Sequence, residues 1–319
     1  ERLRFHEGLG KMMVLEHYLT ELQDVNTPLS TARLIHVSGM TPEEVECFRR
    51  SWTKLDIERR QQVLSRLIDL AEDNADLDFS AVFRACLHDP DESIREKAIA
   101  GLSDSEDRSL IDPLITLMLN DPKERIRAAA AVALGRYTML AELGKLLSRD
   151  GPKLEKALLT VIENGAKSPE VRRRAIEAIG AFSNVPRVKE ILRNAYSSPD
   201  PKLRASALFG MGRNCDQQWL PILVQALSSE DPELRCEAAG ACGETGEEAT
   251  VPYLIPLARD ADAQVRDAAI QALGSIGGPT ARKALLQLRQ STSPHIREAA
   301  EEALQKLESE EDPLGPGGF

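Results

Sequence analysis

Residues 231–246 read DPELRCEAAGACGETG, and 31 positions later residues 262–277 read DAQVRDAAIQALGSIG. In both stretches Asp stands four residues before Arg, an aliphatic residue directly before it, Ala three after and Gly eight after. The aliphatic-Arg-x-x-Ala core returns along the chain. It occurs at Ile94-Arg95 with Ala98, Ile126-Arg127 with Ala130, Val171-Arg172 with Ala175, Leu203-Arg204 with Ala207, and Ile296-Arg297 with Ala300. The arginines are spaced by 32, 45, 32, 31, 31 and 31 residues. A fixed period of this size marks stacked helical units, each too small to bury its apolar face alone.

Each copy reads as a pair of helices. Four residues before the arginines stand Asp91, Lys123, Ser168, Asp200, Asp231, Asp262 and Ser293. Six of these seven side chains accept hydrogen bonds and suit a helix N-cap. Pro169, Pro201, Pro232 and Pro294 follow directly, where a missing N–H costs nothing. The arginine therefore sits one turn inside a second helix. Val265, Ala269, Ile270, Leu273 and Ile276 then share one helical face. Gly135, Gly180, Gly212, Gly243 and Gly274 lie eight residues after their arginines, suiting either a C-cap or close packing of neighbours. The preceding helix of each pair carries apolar runs such as Leu220–Leu223 and Val251–Ile255. Pro113, Pro221 and Pro252 each stand 14 residues before an arginine.

Proline in a first helix, Asp in the turn and aliphatic-Arg in a second helix resembles the HEAT repeat. The short period and the Ala-x-Ala-Leu-Gly ending are similar to the phycobilisome-lyase-type HEAT-like subclass. The resemblance covers roughly residues 79 to 308. It implies an all-α fold, an armadillo-like α-solenoid superhelix of seven HEAT-like helix pairs, with the turn Asp and the helix Arg pairing between neighbours as a ladder. Six residues before Arg, the pattern is met at Asp89, Asp121 and Asp260; Ser198, Ser229 and Ser291 take that place elsewhere, so the ladder is expected to be incomplete.

Residues 1–78 depart from the period and read as an N-terminal helical cap. Thr41-Pro42-Glu43-Glu44 forms a capping-box pattern, Asp56 caps a helix through Leu70, and Phe48 and Trp52 fill the junction with the stack. The long spacing between Arg127 and Arg172 holds an insertion near 139–151, whose Leu140, Leu143, Leu146 and Leu147 are expected to pack. Residues 309–319 read as a flexible acidic and Gly/Pro-rich tail, with Leu314 and Phe319 as docking candidates. Glu1 is not an initiating residue, and Met12 or Met13 is the candidate start.

Composition narrows the function. The net charge of −11 argues against a phosphate backbone as the main ligand. Aromatics are only 4% of the chain, which suits an aliphatic helix-stack core. Five cysteines without a Cys-x-x-Cys pair read as reduced thiols, consistent with a cytoplasmic location. No run reaches the roughly 20 apolar residues of a membrane helix. Deoxyhypusine hydroxylase is a HEAT metalloenzyme with several His-Glu pairs; here one such pair, His6-Glu7, stands outside the repeats, so neither metal nor cofactor is expected. Phosphate-loop, nucleophile-elbow and dinucleotide motifs are missing; Phe209-Gly210-Met211-Gly212 lies within a repeat helix.

The expected function is a scaffold binding a partner protein or peptide along the concave face, with no small-molecule substrate evident. A bilin-lyase-like or other enzyme accessory subunit is the alternative, and nucleic-acid binding the less favoured one. If second helices line the concave side, positions two, five and nine after each arginine face outward. Those positions and their neighbours give Arg136, Arg173, Arg174, Phe209 and Arg213 as the candidate partner-binding residues, with an acidic stretch beyond them at Glu237 and Glu244.

Overall fold

The computed structural model describes residues 2–24, 27–164 and 168–311; the tail residues 312–319, including Leu314 and Phe319, lie outside them. Every regular element among the described residues is helical, and none of the helices is long and apolar enough to cross a membrane. The chain clusters into two compact units, 1–137 and 138–319.

The first unit contains α1 (Arg2–Glu21), α2 (Thr31–Leu34), α3 (Pro42–Trp52), α4 (Ile57–Asp73), α5 (Ser80–Cys86), α6 (Glu92–Ala100), α7 (Ile111–Asn120) and most of α8 (Glu124–Glu142). The capping box at Thr41 and Glu44 is formed, and Asp56 accepts from the Arg59 amide to start α4. Phe48 and Trp52 are buried and stack at 5.0 Å. Helices α1 and α2 pack on α3 and α4, and α3 with α4 packs on the first repeat as a further helix pair, α3 on α5 and α4 on α6. That pair has its own rung. Arg60, four residues after the cap Asp56, donates to Asp89 at 2.6 Å, and the Trp52 indole N–H donates to the same carboxylate at 2.8 Å.

The second rung is the most enclosed. Arg95 Nε donates to Asp121 Oδ2 at 2.8 Å and its Nη2 to Oδ1 at 2.9 Å, with the two side chains 8% and 4% exposed. Arg95 Nη1 also caps the carbonyls of Asp89 and Pro90. Arg127 repeats that capping on Asp121, six residues back. The arginine therefore ties its own turn to its own helix and, where Asp is present, to the next pair.

The second unit contains α9 (Asp150–Asn164), α10 (Pro169–Ile179), α11 (Pro186–Tyr196), α12 (Pro201–Asn214), α13 (Leu220–Ala226), α14 (Pro232–Thr245), α15 (Val251–Leu257), α16 (Ala263–Ile276), α17 (Gly278–Leu288) and α18 (Pro294–Glu311). Asp200, Asp231 and Asp262 cap their helices as read from the sequence; Ser168 makes no side-chain cap bond. Arg235 pairs with Asp260 through Nε and Nη2, both at 2.9 Å.

The glycines eight residues after Arg serve close packing. A Cβ on Gly180 would meet the Gly210 carbonyl oxygen at 2.6 Å, and one on Gly212 would meet Ala241 Cα at 2.7 Å. Gly243 and Gly274 face Ala272 and Ala303 in the same way. The five consecutive second helices α10, α12, α14, α16 and α18 are thus pressed backbone to small residue at all four junctions. The first helices α11, α13 and α15 meet one another far less. In a stack of pairs, the layer with closer spacing is the inner side of the curve, so the second helices form the inner side of this unit.

The insertion behaves differently from its sequence reading. Extra residues lengthen α8 to Glu142, and Gly144 in the left-handed region (φ +69°) turns the chain toward α9. Leu140 packs, being 5% exposed, but Leu143 and Leu147 are 60% and 49% exposed. Both lie beyond the end of α8.

Candidate partner-binding face

The inner side of the second unit is built from α10, α12 and α14. On α10 the spacing Glu170, Arg173, Arg174, Glu177 places opposite charges three and four residues apart, on adjacent turns of one face. Arg174 donates through Nε to Glu170 Oε1 and through Nη1 to Glu177 Oε2, both at 2.9 Å. Arg173 donates to Glu170 Oε2 at 3.0 Å and, across to α12, to Ser206 Oγ at 2.9 Å. Ser206 in turn donates to Glu177 Oε1 at 2.6 Å. Burial works to raise the Glu170 carboxyl, but bonds and charge from Arg173 and Arg174 prevail and hold it below its ordinary value.

Sequence reasoning named Arg173 and Arg174 and missed the carboxylates that neutralise them, although the i, i+3 and i, i+4 spacing carried that signal. Arg173 is also drawn between helices, its side chain 13% exposed, whereas Arg174 keeps 36%. Ser206 and Ala181, expected to face outward, are buried at 1% each because the neighbouring helices stand so close.

Phe209 is the apolar element of the face. Its ring is 39% exposed, and the Arg213 guanidinium lies 5.8 Å from its centroid, so the structure brings these two candidates together. The equivalent position on α14 is Gly240, where an added Cβ would meet nothing within 4 Å. Gly240 therefore presents no side chain at the position where α12 presents the ring. Arg136 belongs to the other unit and is engaged there by Glu106 Oε1 at 3.1 Å, with Asp104 at 3.9 Å.

Glu237, on α14, completes the face. Burial pushes its carboxyl up to about 7; Glu177 of α10 and Glu233 of its own helix add repulsion, while Arg174 and Arg173 pull the other way. The group is raised above its unfolded value, so ionisation opposes folding. The penalty is absent below the unfolded pKa near 4.5, grows from there to about 7 and is complete above. Glu237→Gln is expected to stabilise the protein by about 1–2 kcal/mol at pH 8, after allowance for solvent screening. It should change nothing at pH 4, as read by urea unfolding at the two pH values.

Cys215 and Cys236 have thiols raised by burial first and by nearby carboxylates second, which disfavours the thiolate. Among the described residues no group of three or more His, Cys, Asp and Glu is disposed to hold a metal ion.

HEAT repeats match residues 80–149, 190–264 and 251–313, more than half of the chain. No curated protein matches the sequence. Among solved structures, the CpcE–CpcF complex of phycocyanin lyase from Nostoc sp. PCC7120 is similar at 18% identity and a TM-score of 0.51, over 90% of this chain and 97% of that one. A chain of the Kap95p–RanGDP structure is similar at 12% identity and a TM-score of 0.48, over 92% of this chain and 45% of that one. Human deoxyhypusine hydroxylase in complex with glycerol is similar at 15% identity and a TM-score of 0.36, over 95% of this chain and 98% of that one. Likeness at these identities concerns the fold.

Proposed function

This chain belongs to the HEAT-repeat family, and on that premise we propose that it is a protein-binding scaffold whose second unit holds a partner protein segment along its inner face. The observation that carries this reading is Phe209. Among the exposed large apolar side chains of this unit, this aromatic ring lies on a second helix, α12, between α10 and α14. Arg213 lies over it, the Arg174–Glu177 pair lies on the preceding second helix, and the equivalent position of the next one is Gly240, with no side chain. An aromatic anchor ringed by charged groups is the composition of a binding hot spot, where the apolar centre gives affinity and the rim fixes orientation. The candidate residues of this face are Arg173, Arg174, Phe209 and Arg213, with Arg173 acting through its bond to Ser206 rather than by direct contact.

Shape and charge complementarity over several repeats would do the work, with no covalent step. Phe209→Ala is expected to weaken partner binding about tenfold, the loss of one anchor worth roughly 1–2 kcal/mol. The charge reversal Arg174→Glu with Arg213→Glu should remove partners captured by the wild type. Tyr253→Ala, on the outward side of a first helix and 51% exposed, should remove none. If the double reversal leaves every captured partner unchanged in amount, the inner face is not the binding surface.

A further inference from the structure

Of the three complete rungs, the Arg60–Asp89 rung is made through Nη1 and leaves Arg60 Nε buried without a partner, while the two rungs inside the repeats are made through Nε and Nη2. Arg95 Nε donates to Asp121 and Arg235 Nε donates to Asp260. In the copies between them the carboxylate is replaced: Ser198 takes its register opposite Arg172, and Ser229 takes it opposite Arg204. In both of these arginines Nε is buried with no partner among the described residues. The serines keep the other task of the missing Asp. Ser198 Oγ accepts from the Asp200 amide at 3.2 Å and Ser229 Oγ from the Asp231 amide at 3.2 Å, as Asp260 accepts from the Asp262 amide at 2.9 Å. The turn is intact and only the anion is missing.

Both serines are half-buried within otherwise exposed turns, Ser198 between exposed Ser197 and Pro199, and Ser229 between exposed Ser228 and Glu230. We propose that Ser198 and Ser229 are phosphorylation sites, and that the phosphoryl group added there completes the rungs to Arg172 and Arg204. A serine kinase would transfer the γ-phosphoryl group of ATP to Oγ. The Oγ–P bond forms, the bond from the γ-phosphorus to the ADP oxygen breaks, and the hydroxyl proton passes to the kinase's base. The product carries nearly two negative charges and three acceptor oxygens, which a guanidinium binds strongly. It reaches one bond further than a carboxylate. It also lies just ahead of a helix N-terminus, where the backbone dipole favours an anion. Nearby capping carboxylates do not forbid it, because Asp260 keeps its rung beside Asp262. The two rungs would join α10 to α12 and α12 to α14, the helices that carry Phe209, so modification stiffens that part of the stack. This proposal stands on the ladder and is independent of the docking reading.

The test places phosphoserine at 198 or at 229 by codon suppression and measures thermal unfolding of the full chain. Each is expected to raise Tm by about 2–4 °C. The rise at 198 should vanish in the Arg172→Gln background, and the rise at 229 in Arg204→Gln. No rise, or a rise indifferent to the arginine, overturns the proposal. An equal rise from 10 mM inorganic phosphate on the unmodified chain, abolished by the same arginine changes, would assign the gaps to a free anion instead. Phosphopeptide mapping of the chain from its own cells, with phosphatases inhibited, should find phosphate on Ser198 or Ser229; its absence from both overturns the assignment.

Discussion

Gly212→Ala is expected to destabilise the protein by about 2–4 kcal/mol, although alanine is the better helix former. The added Cβ would stand 2.7 Å from Ala241 Cα and 2.8 Å from its Cβ, both on the next second helix. Neither contact is the end of a flexible side chain, so relief requires the helices to separate and the flanking core to loosen. Close-packed interiors resist such shifts. The gain in helix propensity, at most about 1 kcal/mol, offsets only part of this. Gly240→Ala supplies the control within the neighbouring helix. It adds the same methyl group to an interior helical position with nothing within 4 Å, so it should be neutral or stabilising by up to about 1 kcal/mol. Urea unfolding of the two variants should give changes of opposite sign. Equal changes would mean that the glycine column does not set the spacing of the second helices.

The next largest effect is expected from Asp121→Ser, which separates the rung from the turn. Asp121 accepts from the Lys123 amide at 2.9 Å and pairs with Arg95 on the other side. Serine at the equivalent positions 198 and 229 keeps the amide bond. The substitution therefore removes mainly the carboxylate and leaves the Arg95 guanidinium, 8% exposed, without its counter-charge. Breaking one side of so enclosed a pair costs about 3–5 kcal/mol, because a buried charge is left uncompensated. Asp260→Ser should cost less, roughly 1–3 kcal/mol, since Arg235 and Asp260 are 16% and 10% exposed and water screens what remains. The order Asp121 before Asp260, read from denaturant midpoints at pH 7, is the expected result. A reversed order would mean that enclosure does not govern rung strength here.

These two columns explain why so much of the fold was legible. The Asp cap, the arginine one turn later and the alanine and glycine after it are backbone requirements of a helix pair that must stack, so they recur wherever stacking does. The partial ladder was readable too, because Ser198, Ser229 and Ser291 replace the carboxylate outright. The choice between capping and packing for the glycines was not, because it depends on what the next helix presents. The helix pair α3–α4 escaped the pattern for a local reason. Its arginine, Arg60, follows Asp56 at the usual distance, but Arg59 takes the aliphatic place and instead donates to the carbonyls of Asp24 and Thr27. Apolar spacing misled at Leu143 and Leu147, since hydrophobicity alone does not bury a residue in the connection between two helices.

The face was less legible than the stack. Periodicity named the second helices and the candidate residues on them, yet not the bonds that decide their availability. Whether Arg174 projects toward a ligand or folds back onto Glu170 and Glu177 depends on rotamers. The raised Glu237 carboxyl comes first from burial and then from Glu177 on α10, a relation across helices that no window of sequence contains.

The account rests on helix pairs that bury their apolar faces against the pairs next to them and nowhere else. Duplicating residues 216–246, one complete pair of α13 and α14, tests this directly by inserting a second copy after Gly246, in register with the 31-residue period. The enlarged chain is expected to fold with added helix and to show a larger urea m-value in keeping with the extra surface buried. A chain that aggregates, or that loses the helical signal of the parent, would contradict nearest-neighbour stacking and the fold built on it.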